Sequence, residues 1–117
     1  MMEPVQAIAS DLERFRVSLR AEKATQADIA RCLDTIGRAY QREVRLDAKN
    51  VIDFLVDGIG IEVKLKGVKR NVLRQCRRYC AFEEIRGLIL FTNLAMGLPA
   101  DLHGKPVMVV SAGRAHL

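Results

Sequence analysis

In the first part of the chain, hydrophobic residues recur every three or four positions with charged residues between them. They form two series, Val5, Ile8, Leu12, Phe15 and Leu19, and then Ile29, Leu33 and Ile36. This spacing is typical of amphipathic helices, and Pro4 fits the first turn of the first one. Thr25 resembles an N-terminal cap of the second helix, with Asp28 as a first-turn acid, and Gly37 is a suitable stop. The pattern therefore predicts two helices within residues 1–38.

From about residue 39 the period of the hydrophobic positions shortens towards two. Apolar and β-branched residues dominate three segments, at about 40–46, 51–56 and 60–66, which predicts three strands. The turns between them, at 47–50 and 57–60, are short enough for hairpins. The sequence therefore predicts an antiparallel three-strand meander.

After the meander the pattern predicts one more helix and two more strands. Gly67 ends the strand pattern, and residues 68–84 predict a helix with apolar positions on one side. Those positions are Val72, Leu73, Cys76, Tyr79 and Cys80. The apolar runs 88–92 and 107–110 predict strands, the first parallel to a neighbour because a crossover helix precedes it. Residues 93–104 predict a loop with room for a short helix.

The order of these elements predicts an α/β fold with a mixed central sheet flanked by helices. A chain of 117 residues corresponds to one domain. Within it we distinguish N-terminal helices at 1–38, a core at 39–92 and a C-terminal loop and strand at 93–117. The start of the chain lacks a signal-peptide pattern, and no apolar run is long enough to span a bilayer. We therefore expect a soluble, cytoplasmic protein with no membrane partner.

Charge and cysteine content narrow the function classes. The chain has 19 Lys and Arg against 14 Asp and Glu, a net charge of +5 that favours a polyanionic partner. It has no Trp, which argues against an aromatic platform for single strands. The cysteines and histidines have the wrong spacing for a zinc site or a disulfide framework. They are Cys32, Cys76, Cys80, His103 and His116. We expect the cysteines in the core and the histidines in a loop and a tail.

A few charged residues interrupt the apolar strands of the meander. Glu62 and Lys64 are two residues apart, so they share one face of their strand. A short hairpin places Asp53 across from Glu62. Two carboxylates and an amine then converge at one place. Carboxylate oxygens suit Mg²⁺, which completes its coordination shell with water and substrate phosphate. The hairpin therefore predicts a magnesium site.

A strongly basic segment follows this hairpin. It contains seven cations and no acid, namely Lys64, Lys66, Lys69, Arg70, Arg74, Arg77 and Arg78. Like charges four residues apart destabilise an isolated helix, whereas a phosphate backbone alongside would offset that repulsion. A solvated helix face is the alternative interpretation. Gln75 and Tyr79 are also four residues apart and share one side of the helix.

Asp53, then Glu62-x-Lys64, then Gln75-x-x-x-Tyr79 resembles the PD-(D/E)XK nuclease superfamily, in particular its RecB-type and phage-type exonuclease branch. The resemblance covers roughly residues 43–92 and implies a restriction-endonuclease-like fold, whose core has the same predicted element order. Ile52 stands where the family motif has Pro.

The resemblance also implies roles for these residues. Asp53 and Glu62, with the backbone carbonyl of Val63, would hold Mg²⁺ or Mn²⁺. Lys64 would orient or help deprotonate the attacking water and stabilise charge at the phosphate. The residues Gln75 and Tyr79 would steady the active site or the DNA strand.

One further acid enters through the same resemblance. Some relatives carry an additional acid before the motif, and Glu43 precedes it here on a predicted strand. Glu43 is therefore a further candidate metal ligand.

These features support the hypothesis of a small metal-dependent deoxyribonuclease, phage-encoded or stand-alone, that hydrolyses phosphodiester bonds. A two-fold homodimer is the simplest way for such a small chain to cut both strands of a duplex. The expected nucleic-acid-binding residues are Lys66, Lys69, Arg70, Arg74, Arg77 and Arg78. Two alternatives stay open: a non-catalytic nucleic-acid-binding protein on the same fold, and an interaction module that uses its N-terminal amphipathic helix.

Overall fold

The computed structural model describes residues 2–112 of the chain. It contains three helices, α1 (Met2–Glu13), α2 (Glu22–Thr35) and α3 (Lys69–Cys80). Its six strands are β1 (Gln41–Arg45), β2 (Val51–Val56), β3 (Ile59–Lys64), β4 (Gly87–Thr92), β5 (Asp101–Leu102) and β6 (Lys105–Ser111). None of the helices in this part of the chain is long and apolar enough to cross a membrane.

The six strands form one mixed sheet in the order β1-β2-β3-β4-β6-β5. β1, β2 and β3 pair antiparallel, which confirms the predicted meander. β4 lies parallel to β3, and β6 lies parallel to β4. The parallel pairing of β3 and β4 follows from the crossover through α3. The fold is therefore α/β with a mixed sheet, as the sequence predicts.

Helices cover both faces of the sheet and create two separate apolar clusters. α1 packs mainly on β6 and β4, and α2 packs on β3. Their side chains share one cluster with Ile61, Val63 and Phe91. α3 covers the other face, where its apolar side chains join Leu88 and Leu90. The predicted alternation of side chains along β3 is confirmed, because Ile61 and Val63 face α1 and α2 whereas Glu62 lies on the α3 side.

β2 changes face at Asp53. In a regular strand, residues 52, 54 and 56 would point to the same side. Phe54 and Val56 belong to the cluster under α1 and α2, but Ile52 belongs to the cluster under α3. Ile52 lies directly over Gly60 of β3, where even a Cβ would collide with it. The sheet surface under α3 is thus shaped by the absence of a side chain at residue 60.

The N-terminal helices differ in extent from the prediction. α1 ends at Glu13, so Phe15 and Leu19 follow it as linker residues that still pack on the first cluster. α2 begins at Glu22, and the predicted cap at Thr25 is wrong. Thr25 is fully buried in the first turn, 3.2 Å from the carbonyl oxygen of Ala21. A threonine hydroxyl can bond the carbonyl four residues earlier, so a Thr near a helix start need not be its cap.

The C-terminal half contains two further differences. α3 ends at Cys80 rather than near residue 84, and a turn follows in which the Arg86 amide donates to the Gly58 carbonyl at 2.7 Å. Residues 93–104 contain no helix, and β5 forms within this segment. β5 pairs with β6 through His103 and Gly104, both at positive φ, which is the backbone of a tight hairpin.

The cysteines and His103 lie where the sequence predicts them. Cys32, Cys76 and Cys80 are buried free thiols, as expected for core residues. His103 lies in the turn between β5 and β6, as expected for a loop residue. His116, predicted to lie in a tail, is outside the described residues.

Candidate active site

Asp53 on β2 and Glu62 on β3 form a carboxylate pair between neighbouring strands. The Asp53 amide donates to Glu62 Oε1 at 3.3 Å, and the Val63 amide donates to Asp53 Oδ2 at 2.8 Å. Each side chain therefore reaches the backbone of the opposite strand. Glu62 is only 3% exposed, and Asp53 is half-buried. The carboxylate pair is fixed by the sheet itself, at the point where β2 changes face.

Three other side chains predicted for the site surround this pair. Lys64 Nζ lies 3.6 Å from Glu62 Oε2. The Tyr79 hydroxyl lies 3.2 Å from the same oxygen and 2.9 Å from the Val51 carbonyl oxygen. Gln75 Nε2 donates to the Tyr79 hydroxyl oxygen at 2.9 Å. The structure thus brings all five predicted residues of the motif into one group, joined by hydrogen bonds and by the Lys64–Glu62 ion pair.

Burial and mutual repulsion favour the protonated forms of the two carboxyl groups. Burial, and next the Asp53 carboxylate, raise the pKa of Glu62 to about 8, against the opposing effect of Lys64. Burial also raises the pKa of Asp53, although the Val63 amide partly offsets this. Burial and the charge of Glu62 raise the pKa of Tyr79, so its hydroxyl keeps its proton as a donor. When both carboxyl groups are ionised, Lys64 alone does not balance their charge, and a bound cation would.

The donor set fits a hard divalent cation. Mg²⁺ is usually held by one or two protein carboxylates and keeps several waters. Within residues 2–112 no group of three or more His, Cys, Asp and Glu side chains is arranged to hold a metal. Asp53 and Glu62 are the predicted side-chain ligands, with the carbonyl of Val63 as the predicted backbone ligand. Water and substrate oxygens would complete the shell.

Sequence reasoning missed a third acid close to this pair. Glu22 is the first residue of α2, and its Oε2 accepts the Leu65 amide at 2.9 Å, just past the end of β3. Its charge contributes to the raised pKa of Asp53. The available signal was an acid in the first turn of a helix, but the misplaced start of α2 concealed it.

Thr92 is a second residue that sequence reasoning missed. It pairs with Lys64 across the parallel ladder of β3 and β4, and it is completely buried. Its hydroxyl contacts the Lys64 carbonyl oxygen and accepts the Leu94 amide at 3.0 Å. Thr92 therefore holds the end of β3 that carries Lys64. A lone threonine at the end of a strand gives no signal of this role.

Within residues 2–112, Glu43 has no recorded side-chain contact with the group, although the pairing of β1 with β2 places it opposite Asp53. It is exposed on the edge strand β1, with a φ of 51°, between two residues that pair with β2. It makes no hydrogen bond or ion pair with the site among the described residues. Its role as an additional metal ligand stays a prediction that no contact supports.

The predicted nucleic-acid-binding residues form a cationic surface next to the site. We use this name for Lys66, Lys69, Arg70, Arg74, Arg77 and Arg78, all of which are exposed. Over residues 2–112, every ion pair in the structure involves other residues. Arg78 Nε instead lies 3.4 Å from Asn50 Oδ1. The cationic surface is therefore not neutralised by carboxylates of the described chain.

No protein-family model, curated protein or solved structure gives a significant match to this chain.

Proposed function

We propose that this protein is a metal-dependent nuclease of the PD-(D/E)XK type that hydrolyses the phosphodiester bonds of DNA. The observation that carries the proposal is the buried carboxylate pair with Lys64, Gln75 and Tyr79 in hydrogen-bonding or ion-pair range. Burying Glu62 beside Asp53 is unfavourable for folding. A binding role for the pair explains why the chain keeps it.

In the proposed reaction each side chain of the site has a separate role. A bound Mg²⁺ or Mn²⁺ would supply Lewis acidity and a more acidic water. Asp53 and Glu62 would hold that ion between β2 and β3. Lys64 extends from the same strand face as Glu62, where its ammonium can orient a water and donate to a phosphate oxygen. Tyr79, held by Gln75, fixes the orientation of the Glu62 carboxylate.

The topology supports a restriction-endonuclease-like fold as part of this proposal. The meander β1-β2-β3, the crossover helix α3 and the parallel strand β4 occur in the order that the family resemblance implies. The carboxylate pair lies on the second and third strands of that meander. A two-fold dimer would let one such small domain reach both strands of a duplex.

The cationic surface supports a nucleic acid as the substrate. Six exposed cations follow Lys64 without an intervening acid, and they make no ion pair in the described chain. A phosphate backbone that binds there releases condensed counterions, which makes binding strongly salt-dependent. The same surface also favours a second candidate function, a non-catalytic nucleic-acid-binding protein.

The amphipathic helix α1, in contrast, gives no support to an interaction module. Val5, Ile8 and Leu12 are buried against the sheet and belong to the first cluster. Core packing therefore accounts for the amphipathic pattern of α1.

A cleavage assay tests the proposal. Supercoiled, linear and branched DNA are incubated with the protein in Mg²⁺ or Mn²⁺, with EDTA and with Glu62→Ala. Glu84→Ala, which changes an exposed acid in the turn after α3, serves as the matched control. We expect cleavage that requires both metal and Glu62 and that survives Glu84→Ala. Salt-sensitive DNA binding without cleavage in either metal would favour the second candidate and overturn the nuclease.

A further inference from the structure

A pocket outside the carboxylate site lies between the end of α3 and the turn that joins β5 to β6. It is open to solvent, has a volume of about 370 Å³, and is lined by Arg74, Arg77, Arg78, Ala81 and His103. We call it the Arg–His pocket. It is not on the buried side of α3, which carries Cys76 and Tyr79. Four of its five lining residues therefore belong to the outer side of α3 or to its C-terminal cap.

The charge of this pocket has no counterpart within the described chain. Arg74 and Arg77 make neither a side-chain hydrogen bond nor an ion pair among residues 2–112, and Arg78 contacts only Asn50. Cations in the last helical turn interact favourably with the helix dipole, which accounts for Arg77 and Arg78. It does not account for Arg74, one turn earlier, where a like charge four residues from Arg78 is unfavourable.

His103 completes the pocket from a separate part of the fold. It has a φ of 53°, a left-handed conformation that a non-glycine residue adopts infrequently. The hairpin that carries it is attached to the end of α3, because Lys105 Nζ donates to the Phe82 carbonyl at 2.6 Å. The imidazole is thus held beside the arginines by a fixed hairpin rather than by a free loop.

The pocket and the carboxylate pair lie on opposite sides of the same helix. Arg78 lines the pocket, while the next residue, Tyr79, contacts Glu62. A helix with its side chains is about 10–12 Å across. A strand that passes around a helix of this width needs a few nucleotides, since successive phosphates of one B-DNA strand are separated by at least the axial rise of about 3.4 Å.

We propose that the Arg–His pocket binds a backbone phosphate of the substrate a few nucleotides away from the phosphodiester that is cut. Guanidinium groups suit this ligand, since their planar donors match phosphate oxygens. The substrate is then a polynucleotide strand that extends across α3, rather than a mononucleotide or dinucleotide. This inference rests on the proposed nuclease function and specifies its substrate class.

The test measures how affinity depends on substrate length. Fluorescence anisotropy gives the affinity of the full chain for a labelled trinucleotide and a labelled 20-mer in EDTA, so that no cleavage occurs. Arg77→Glu and His103→Ala probe the pocket. Arg16→Glu, an exposed cation in the linker after α1, makes the same charge change elsewhere and is the matched control. Thermal melts establish that each variant is folded.

We expect Arg77→Glu to remove most of the affinity gain from trinucleotide to 20-mer, by tenfold or more. His103→Ala should reduce that gain several-fold, and Arg16→Glu should leave it unchanged. If both pocket variants match Arg16→Glu, the inference is overturned. Competition by inorganic phosphate or a mononucleotide as effective as that by the 20-mer would also overturn it, because the pocket would then be a small-anion site.

The two proposals fail separately. If the wild-type protein cleaves DNA but its length dependence is insensitive to Arg77 and His103, the nuclease stands and the pocket does not. If no metal supports cleavage and the pocket variants still lose long-strand affinity, the pocket stands as part of a binding protein. The nuclease would then be rejected.

Discussion

The two faces of the central sheet differ in what they bury. Under α1 and α2 the sheet presents an apolar surface, including Phe54, Ile61 and Val63. Under α3 it also buries the Glu62 carboxylate, the Tyr79 hydroxyl and the Cys76 thiol. Burying a carboxylate is unfavourable unless it is paired or neutralised. The comparison indicates that one face stabilises the fold and that the other gives up some stability to hold a charged site.

The largest effect that would test this division is on catalysis. In the proposed nuclease, Glu62→Ala removes one of the two side-chain ligands, so we expect the cleavage rate with Mg²⁺ to fall by more than about 100-fold. Loss of a residue that only supports a metal ligand lowers activity by up to about 100-fold, so loss of a ligand itself should lower it by more. The fold should survive, since the change also removes a buried charge. Initial rates on plasmid DNA and a melting curve check both points; a variant that cleaves normally would exclude Glu62 as a ligand.

On the apolar face we expect the opposite behaviour. Leu33 is completely buried in α2, so Leu33→Ala should lower the free energy of unfolding by about 2–5 kcal/mol. The cleavage rate per folded molecule should not change, because Leu33 has no contact with the site. Urea titration and rates measured well below the melting temperature separate the two quantities. A rate loss as large as that of Glu62→Ala would show that the faces are not independent.

A pH titration of the metal-free protein sharpens the comparison. The pKa of Glu62 is about 8 in the folded protein, above its ordinary value of 4.5, so the folded state binds the proton more tightly than the unfolded state. The stability that proton binding to Glu62 contributes is fully present below about pH 4.5 and is lost as the pH rises through 8. We expect unfolding to become easier by up to a few kcal/mol across this window.

Glu62→Gln is the control for that titration, because it keeps the shape of the side chain and removes its proton equilibrium. Its stability should vary much less between pH 5 and pH 8 than that of the wild type, and at pH 8 without metal it should be the more stable protein. Urea midpoints across this range measure the difference. Parallel curves for the two proteins would mean that Glu62 does not titrate in this window.

The smallest effect concerns the Tyr79 hydroxyl. Tyr79→Phe keeps the buried ring but removes the hydrogen bonds that link Glu62, Gln75 and Val51. We expect a loss of about 1–3 kcal/mol in stability, because buried partners are left unpaired. The cleavage rate should also fall, by about tenfold. Tyr40→Phe, which removes an exposed hydroxyl bonded to Asp34, is the matched control and should change neither quantity appreciably.

The central part of the site could be predicted because its geometry is local. Asp53 and Glu62 are nine residues apart across a short hairpin, and the alternation of strand side chains places Lys64 with Glu62. Gln75 and Tyr79 are one helical turn apart, and their hydrogen bond follows from that spacing. Short-range periodicity therefore accounts for each of these two sets, whereas the expectation that α3 joins the site came from the family resemblance.

The parts that could not be predicted depend on distant contacts. Glu22 reaches the site by accepting a hydrogen bond from the amide of Leu65, which is 43 residues away in the chain. Thr92 meets Lys64 only because β3 and β4 align in parallel. His103 reaches the end of α3 only once the β5–β6 hairpin has docked there. No local pattern encodes such pairings, because they arise from the packing of whole elements.

Gly60 has a consequence for how the site could be silenced. Ile52 occupies the space that a side chain at residue 60 would need, and Ile52 is the immediate neighbour of Asp53. A methyl group at residue 60 would displace the end of the Ile52 side chain, and we expect that shift to disturb the neighbouring Asp53 carboxylate. The absence of a side chain at Gly60 thus leaves the space that Ile52 occupies beside the carboxylate pair. In the proposed nuclease we therefore expect Gly60→Ala to lower the cleavage rate, although every residue of the motif would remain in the sequence.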